Sequence, residues 1–369
     1  MIIGGYNAPV ISNANLWGSM KRLKGLSIKI CLVCFGILVA FLILEGILRL
    51  QGITGYQDRL SIYQFDDTLG WIPKPNTRYF RSNRDYAHYN YFGPQGFPAS
   101  KQDWHKSLSK SLPTIAFIGD SFSESYYLPY ELTFPYLVGN KFPAKQVMNL
   151  GVSGYAPGQY LITARRHLGA YNTTDIIVTF FPHNDIPDFS KSTYQGYSKP
   201  LFEDSLAKPA NTPLNKLSGG VGRGGILRSI NDRSAVIRAI NPSLFKYFPG
   251  LGRFGSDVIS EPIYIEETAM RRALLPIKQI ALEFPVETFI VYYISRYEEL
   301  LQPGLFKQNI DLFHKLCEEL AMRCFSTASI AAKVSDPADL YLPTDRHFTK
   351  LGARLVADQF YEILSGDES

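Results

Sequence analysis

The chain has 369 residues, of which 46% are hydrophobic and 19% charged, a balance typical of a folded protein rather than a disordered one. This length allows one large α/β domain together with a membrane segment. The net charge of +5 does not indicate nucleic-acid binding, because four cations ahead of an apolar segment account for all but +1 of it: Lys21, Arg22, Lys24 and Lys29.

The apolar segment lies directly after these cations. Residues 26–48 are almost entirely apolar, which predicts one transmembrane helix. The uncharged core of this segment, residues 30–44, is short, so a cleaved signal peptide and a buried core helix are alternatives. No small-x-small cleavage site follows it, which favours a permanent anchor over a signal peptide. By the positive-inside rule, residues 1–25 are expected to be a cytoplasmic tail. We therefore expect a single-pass protein of the cell inner (plasma) membrane, with the body of the chain in an extracytoplasmic domain.

The remaining sequence divides into two parts. Residues 49–110 are rich in Tyr, Pro, Asn and Arg without a sustained helical or strand period, and we expect an extended lead-in. Residues 111–369 alternate short apolar runs with amphipathic stretches, which predicts one α/β domain with helices on both faces of a parallel sheet. Residues 189–260 interrupt this alternation and are interpreted as an insertion, with a flexible Gly-rich loop at residues 219–225. The predicted strands are residues 113–118, 146–150, 175–181, 287–294 and 323–326.

Two cysteines lie seven positions apart at a predicted helix-to-strand junction, Cys317 and Cys324. An oxidising compartment would permit a disulfide between them. Because the sequence does not supply the geometry that a bridge needs, we expect two buried free thiols.

Short polar motifs follow the first three predicted strands, and another precedes the last predicted helix. The carboxyl ends of the strands form the ligand crevice of an open α/β sheet, so these motifs are expected to meet there. A serine hydroxyl becomes a good nucleophile when a base takes its proton, and histidine suits that task near neutral pH. The motifs are Gly119-Asp120-Ser121, Ser153-Gly154, His183-Asn184-Asp185 and Asp345-Arg346-His347.

In this order the motifs resemble those of the SGNH/GDSL hydrolase family, over roughly residues 113–185 and 336–365. The resemblance implies a flavodoxin-like three-layer sandwich with sheet order 2-1-3-4-5 and ester chemistry. It also implies roles for five residues. Ser121 corresponds to the nucleophile, His347 to its base and Asp345 to the acid that orients the histidine, while Ser121, Gly154 and Asn184 correspond to the oxyanion hole.

The sequence departs from the family pattern at two places. Its Asp-x-His spacing replaces the more frequent Asp-x-x-His, although Asp-x-His occurs in relatives that modify exported polysaccharides. His183 stands where glycine is common. Asp120 and Asp185 are expected to cap turns and bond to backbone groups rather than to react.

A further motif, residues 69–76, resembles one found in membrane-anchored bacterial members that are associated with envelope or exported polysaccharides. We therefore expect a serine esterase or O-acyltransferase that forms a Ser121 acyl-enzyme, with acetyl as the expected acyl group. The sequence does not decide between water and a sugar hydroxyl as acceptor. The alternatives are a lipase or thioesterase with residues 189–260 as a lid, and a non-catalytic glycan-binding or assembly protein.

The expected partners are an acylated carbohydrate or another ester substrate and, through one helix, the membrane. We expect no nucleic acid as a partner. No cofactor and no metal are expected, because the histidines outside the motifs lack the spacing of metal ligands. These are His88, His105, His167 and His314.

Overall fold

The computed structural model describes residues 13–53, 59–194, 197–203, 206–208, 233–247, 264–300 and 302–366. A long helix, Asn13–Leu50, opens this part of the chain, and a short helix, Arg59–Ile62, follows it. Within the long helix, Leu26–Leu50 is long and apolar enough to cross a bilayer, with a mean hydropathy of 2.8. No part of that window is buried against the rest of the described chain.

Five parallel strands form the central sheet, and their order in space is 2-1-3-4-5. The first strand pairs with both the second and the third, which is the reversal point of a doubly wound sheet. Its residues are buried on both faces, as the continuous apolar run predicted. The predicted fold class and strand order are confirmed. The strands are Thr114–Ile118, Gln146–Asn149, Thr173–Phe180, Thr288–Tyr293 and Arg323–Ser326.

Helices cover both faces of the central sheet and make a three-layer sandwich. Two hydrophobic clusters lie between the layers, one containing Ile277 and Phe313 and the other containing Phe134 and Phe360. The covering helices are Phe134–Lys141, Pro157–His167, Glu267–Glu283, Pro303–Glu319 and Lys350–Ser365. Shorter helices are Ser121–Glu124, Pro182–Phe189, Tyr297–Leu300 and Ala328–Ala331, with 3₁₀ turns at Tyr130–Leu132, Leu168–Ala170 and Pro337–Leu340.

The lead-in is more ordered than expected, which corrects the prediction of an extended segment over residues 49–110. Residues 63–99 contain five short antiparallel strands, here called the lead-in strands, and most of their buried aromatic side chains belong to the main hydrophobic cluster, while Phe80 packs in a smaller one with Ile53 and Ala235. The pattern was hidden because burial does not alternate: in Thr77–Ser82 the two adjacent residues Tyr79 and Phe80 are both buried. The strands are Tyr63–Asp66, Gly70–Pro73, Thr77–Ser82, Ala87–Phe92 and Pro98–Ala99.

The described part of the insertion forms two strand pairs and one helix. The pairs are Thr193–Tyr194 with Tyr197–Ser198 and Leu201–Glu203 with Leu206–Lys208, and the helix is Ala235–Tyr247. The Gly-rich run at residues 219–225 lies outside the described residues. The helix begins at the end of the long apolar helix, where the Glu45 carboxylate accepts the backbone N–H groups of Ala235 (3.0 Å) and Val236 (3.1 Å).

Cys317 and Cys324 form a disulfide, so the expectation of two free thiols is wrong. Between them, Ala321 adopts a left-handed backbone conformation (φ 49°), and the chain reverses there from the helix Pro303–Glu319 into the last strand. This tight turn brings the two Cα atoms to 6.2 Å, within the range that a disulfide spans.

Candidate active site

Ser121 is the first residue of the short helix that follows the first central strand. The Asp120 carboxylate caps this helix by accepting the backbone N–H of Phe122 at 2.9 Å. The cap fixes the turn that presents Ser121 at the carboxyl edge of the sheet, where its side chain lines a cavity. Asp120 thus has the structural contact that the sequence predicted for it.

His347 lies beside Ser121, with its Nε2 atom 2.8 Å from the Ser121 Oγ atom. The other ring nitrogen, Nδ1, is hydrogen-bonded to the Asp345 carboxylate. The residue between them, Arg346, has a left-handed backbone (φ 65°), and this turn lets side chains two residues apart meet. The short Asp-x-His spacing is therefore compatible with a continuous hydrogen-bonded chain from carboxylate to imidazole to hydroxyl.

Aromatic rings hold the imidazole of His347 in place. The Tyr127 ring stacks on it with centroids 4.7 Å apart, and the Phe122 ring packs at 4.6 Å. The Tyr126 ring meets it edge-on at 5.3 Å. These contacts restrict the ring to the orientation in which Nε2 faces Ser121.

The turn between the lead-in strands Thr77–Ser82 and Ala87–Phe92 supplies the surroundings of Asp345. Its Oδ2 atom accepts hydrogen bonds from the Asn83 amide (2.7 Å) and the Tyr86 hydroxyl (3.0 Å). The Asp85 carboxylate accepts the backbone N–H groups of Thr344 and Asp345. Burial acts to raise the pKa of Asp345, but His347, the hydrogen bond from Tyr86 and the charge of Arg81 outweigh it, so the pKa lies below its ordinary value.

Gly154 and Asn184, the other proposed oxyanion donors, lie near the same edge of the sheet. Gly154 has a positive φ of 82°, and a Cβ atom there would lie 2.4 Å from a ring carbon of Tyr194. Asn184 lines the cavity beside Ser121 and donates one amide hydrogen to Asp120 at 3.2 Å. Its second amide hydrogen has no acceptor within the described part of the chain.

A buried carboxylate that the sequence did not single out, Glu124, ties the site together. It accepts the backbone N–H of Ser153 at 2.5 Å and the hydroxyl of Tyr63 at 2.8 Å. It therefore links the helix of Ser121, the loop of Gly154 and the lead-in strands. The sequence signal that could have indicated Glu124 is an acidic residue three positions after the serine, in Ser-Phe-Ser-Glu.

The cavity that contains these groups has a volume of about 510 Å³. His183 faces Glu299 instead, with Nε2 and Oε2 3.1 Å apart, and does not line it. Within the described ranges, no group of three His, Cys, Asp or Glu side chains is arranged to hold a metal ion. Much of the wall consists of residues that the sequence did not single out. Among them are Tyr79 and Arg81 from the lead-in strands, Asn83 and Tyr86 from the turn between two of these strands, and Tyr194 and Arg238 from the insertion.

No protein-family model matches the sequence, and no curated protein matches it either. Among solved structures, it is similar to a lipase/acylhydrolase from Enterococcus faecalis at 10% identity and a TM-score of 0.40, covering 69% of this chain and 96% of that one. It is also similar to a lipolytic protein of the G-D-S-L family from Veillonella parvula, at 11% identity and a TM-score of 0.37, covering 70% of this chain and 99% of that one. A third similar structure is an acetylxylan esterase from Geobacillus stearothermophilus, at 15% identity and a TM-score of 0.35, covering 68% of this chain and 93% of that one. At these identities and TM-scores the similarity does not determine what this chain acts on.

Proposed function

We propose that the protein is a membrane-anchored, extracytoplasmic serine esterase or O-acyltransferase with Ser121 as nucleophile, His347 as base and Asp345 as the acid that orients it. One observation carries the proposal: the continuous hydrogen-bonded chain from Asp345 through His347 to Ser121 at the wall of a cavity. Each contact has the geometry that activation of a serine hydroxyl needs.

In the first half of the proposed reaction, the Ser121 Oγ atom attacks the ester carbonyl carbon while His347 Nε2 takes the hydroxyl proton. Asp345 stabilises the imidazolium that forms. The backbone N–H groups of Ser121 and Gly154 and the Asn184 amide are the proposed donors to the oxyanion. Removal of one such donor typically costs about 2.7–4 kcal/mol of transition-state stabilisation. The C–O bond then breaks, and His347 returns the proton to the leaving oxygen.

In the second half, water or a sugar hydroxyl attacks the carbonyl of the Ser121 acyl-enzyme. His347 takes the proton of the attacking hydroxyl, and the bond to Ser121 Oγ breaks as that oxygen regains a proton from His347. Hydrolysis and transfer differ only in the group that attacks. The choice between them therefore depends on which acceptor the cavity positions.

The cavity wall supports an acylated carbohydrate over a lipid ester. Four tyrosines and three arginines line it, and a long acyl chain would bury such polar groups without hydrogen-bond partners. Tyrosine rings with polar tips suit the mixed apolar and hydroxyl surface of a sugar. The described insertion residues that reach the cavity, Tyr194 and Arg238, do not form the apolar surface expected of an acyl-chain lid.

Two contacts support a permanent anchor and an extracytoplasmic domain. The Glu45 carboxylate, near the end of the apolar helix, accepts backbone hydrogen bonds from the insertion helix, and such a built-in contact does not suit a cleaved leader. The Cys317–Cys324 disulfide suits an oxidising compartment.

The test uses the full-length protein in detergent with 4-nitrophenyl acetate, butyrate and octanoate. We expect turnover that is fastest with acetate, labelling of Ser121 by a fluorophosphonate, and loss of both in Ser121→Ala. Ser335→Ala, which changes an exposed serine, is the matched control. Equal turnover in Ser121→Ala would refute the nucleophile, and a folded wild type that is neither labelled nor active would favour a non-catalytic protein. Adding a sugar acceptor and measuring acylated sugar separates transfer from hydrolysis.

A further inference from the structure

Arg81 places a positive charge in the same cavity as Ser121. It lies on the lead-in strand Thr77–Ser82 and lines the cavity wall. Its guanidinium carbon is 3.7 Å from the centre of the Tyr126 ring, and the Tyr126 ring contacts the His347 imidazole. One aromatic ring therefore separates this cation from the proposed base.

Arg81 makes no ion pair within the described part of the chain, because no carboxylate there lies within 4 Å of its guanidinium. Its charge still acts on Asp345 from a longer distance, as the last of the influences that lower the pKa of that carboxyl. The other two arginines of the wall are engaged, since Arg346 lies 3.5 Å from Glu298 and Arg238 donates to the Phe80 carbonyl at 3.2 Å. The carboxylate of Asp345 is occupied by His347, Asn83 and Tyr86. A cation in such a wall is usually paired, so the cavity has a place for an anion.

The aromatic contacts of Arg81 also suit a binding role. Tyr126 packs against the flat face of the guanidinium, and the Tyr79 ring lies 5.6 Å from its central carbon. Packing on the face holds the group in one orientation and leaves N–H groups at its edge available. Those donors match the two oxygens of a carboxylate or phosphate.

We infer that the cavity binds an oxyanion carried by the ester substrate, with Arg81 as its receptor. The inference rests on the proposed esterase or acyltransferase function and narrows its substrate class. The substrate then carries a carboxylate or a phosphate close to the acyl group, as an acidic polysaccharide or a phosphate-bearing glycan does. Arg81 contributes specificity, while Ser121 and His347 contribute the chemistry.

The first test compares three acetate esters on full-length protein in detergent: 4-acetoxybenzoate, its neutral methyl ester and 4-acetoxyphenyl phosphate. For each variant we take the ratio of kcat/KM for the charged ester to that for the neutral one. Leaving-group differences cancel when these ratios are compared between variants. We expect Arg81→Gln to lower the ratio at least about tenfold, because hydrogen bonds to charged groups are the strong ones. Arg81→Lys, which keeps the positive charge, should retain part of the preference for the charged ester.

Arg78→Gln is the matched control. Arg78 is on the same strand and also packs over a tyrosine, Tyr89, but it does not line the cavity. It should leave the ratio unchanged. An unaltered ratio in Arg81→Gln, or an equal loss for charged and neutral esters, would overturn the inference while leaving the proposed esterase intact. Preference for benzoate or phosphate ester identifies which oxyanion the site takes.

The second test does not depend on turnover. In Ser121→Ala, calorimetric titration with trigalacturonate should show binding that weakens with salt and falls about tenfold when Arg81→Gln is added. Maltotriose, which has no charge, is the control ligand. Binding that depends on Arg81 in a protein without esterase activity would refute the proposed function and support the anion site. Equal binding of the two sugars by both variants would refute the anion site.

Discussion

The central sheet and the lead-in strands contribute to one cavity in different ways. Ser121 and Asn184 follow parallel strands whose carboxyl ends share one edge, so the topology of the sheet places them. The lead-in strands and the turn between two of them add Arg81, Asn83 and Tyr86, which surround Asp345 or face the cavity. In the proposed function, the nucleophile and one oxyanion donor come from the strand ends of the sheet, whereas the lead-in region supports Asp345 and contributes the proposed substrate contact, Arg81. We therefore expect substitutions in the central domain to lower kcat more than substitutions in the lead-in region.

The largest effect is expected from Asp345→Asn, which breaks the hydrogen-bonded chain within the central domain. An amide cannot fix the imidazole tautomer or stabilise the imidazolium, so kcat should fall on the order of 10⁴-fold with little change in KM. Steady-state kinetics on 4-nitrophenyl acetate measures it. Asp339→Asn, at an exposed carboxylate, is the control. A loss below tenfold would mean that His347 works without Asp345.

Gly154→Ala tests the contact between the sheet and the insertion. The new Cβ atom would meet the Tyr194 ring at 2.4 Å, and alanine tolerates a φ of 82° poorly. Displacement of the Gly154 N–H should lower kcat by about 10²-fold. The double variant Gly154→Ala/Tyr194→Ala removes the collision and should recover about tenfold of this loss. Wild-type kcat in Gly154→Ala would exclude its N–H as an oxyanion donor.

The two regions also differ in how far the sequence predicts them. The first central strand was predicted at residues 113–118 and is Thr114–Ile118, because a run buried on both faces is visible in apolar residues alone. Motifs at the strand ends then located Ser121 and Asn184. The lead-in strands were missed because their buried aromatics do not alternate with polar residues. The bond from Asn83 to Asp345 joins positions 262 residues apart, and no local pattern encodes such a pairing.

Tyr86→Phe measures what the lead-in strands contribute to the chemistry. It removes the hydroxyl that donates to the Asp345 carboxylate at 3.0 Å and leaves the ring. Loss of one hydrogen bond to a charged group should lower kcat about tenfold with KM nearly unchanged. Tyr89→Phe, on the strand Ala87–Phe92 that follows Tyr86, removes a hydroxyl that donates to the Gln51 carbonyl and should not alter kcat. An equal effect of the two variants would assign the loss to general destabilisation of the strands.

The smallest effect concerns the packing of the two regions against each other, where two histidines are partly buried. His88, on a lead-in strand, donates to the Tyr126 carbonyl at 3.1 Å, and His167, on a central helix, packs against Phe97 of the lead-in. Burial lowers the pKa of each to about 4. These values already include smaller influences: Arg81 helps to lower the pKa of His88, while its backbone hydrogen bonds and Glu131 act to raise it. Arg166 helps to lower the pKa of His167, and Asp66 acts to raise it.

Because the unfolded chain binds these protons more readily, stability should fall as pH drops from about 6.5 towards 4. Between pH 7 and 5.5 the loss should be about 1 kcal/mol for each histidine, measured by urea unfolding of the full-length protein. His88→Gln and His167→Gln should each flatten this pH dependence, whereas His105→Gln, at an exposed position, should not. Hydrogen exchange should show the lead-in strands opening before the central sheet as the pH falls. If both regions open together, the two histidines do not control the contact, and the lead-in strands unfold only with the whole domain.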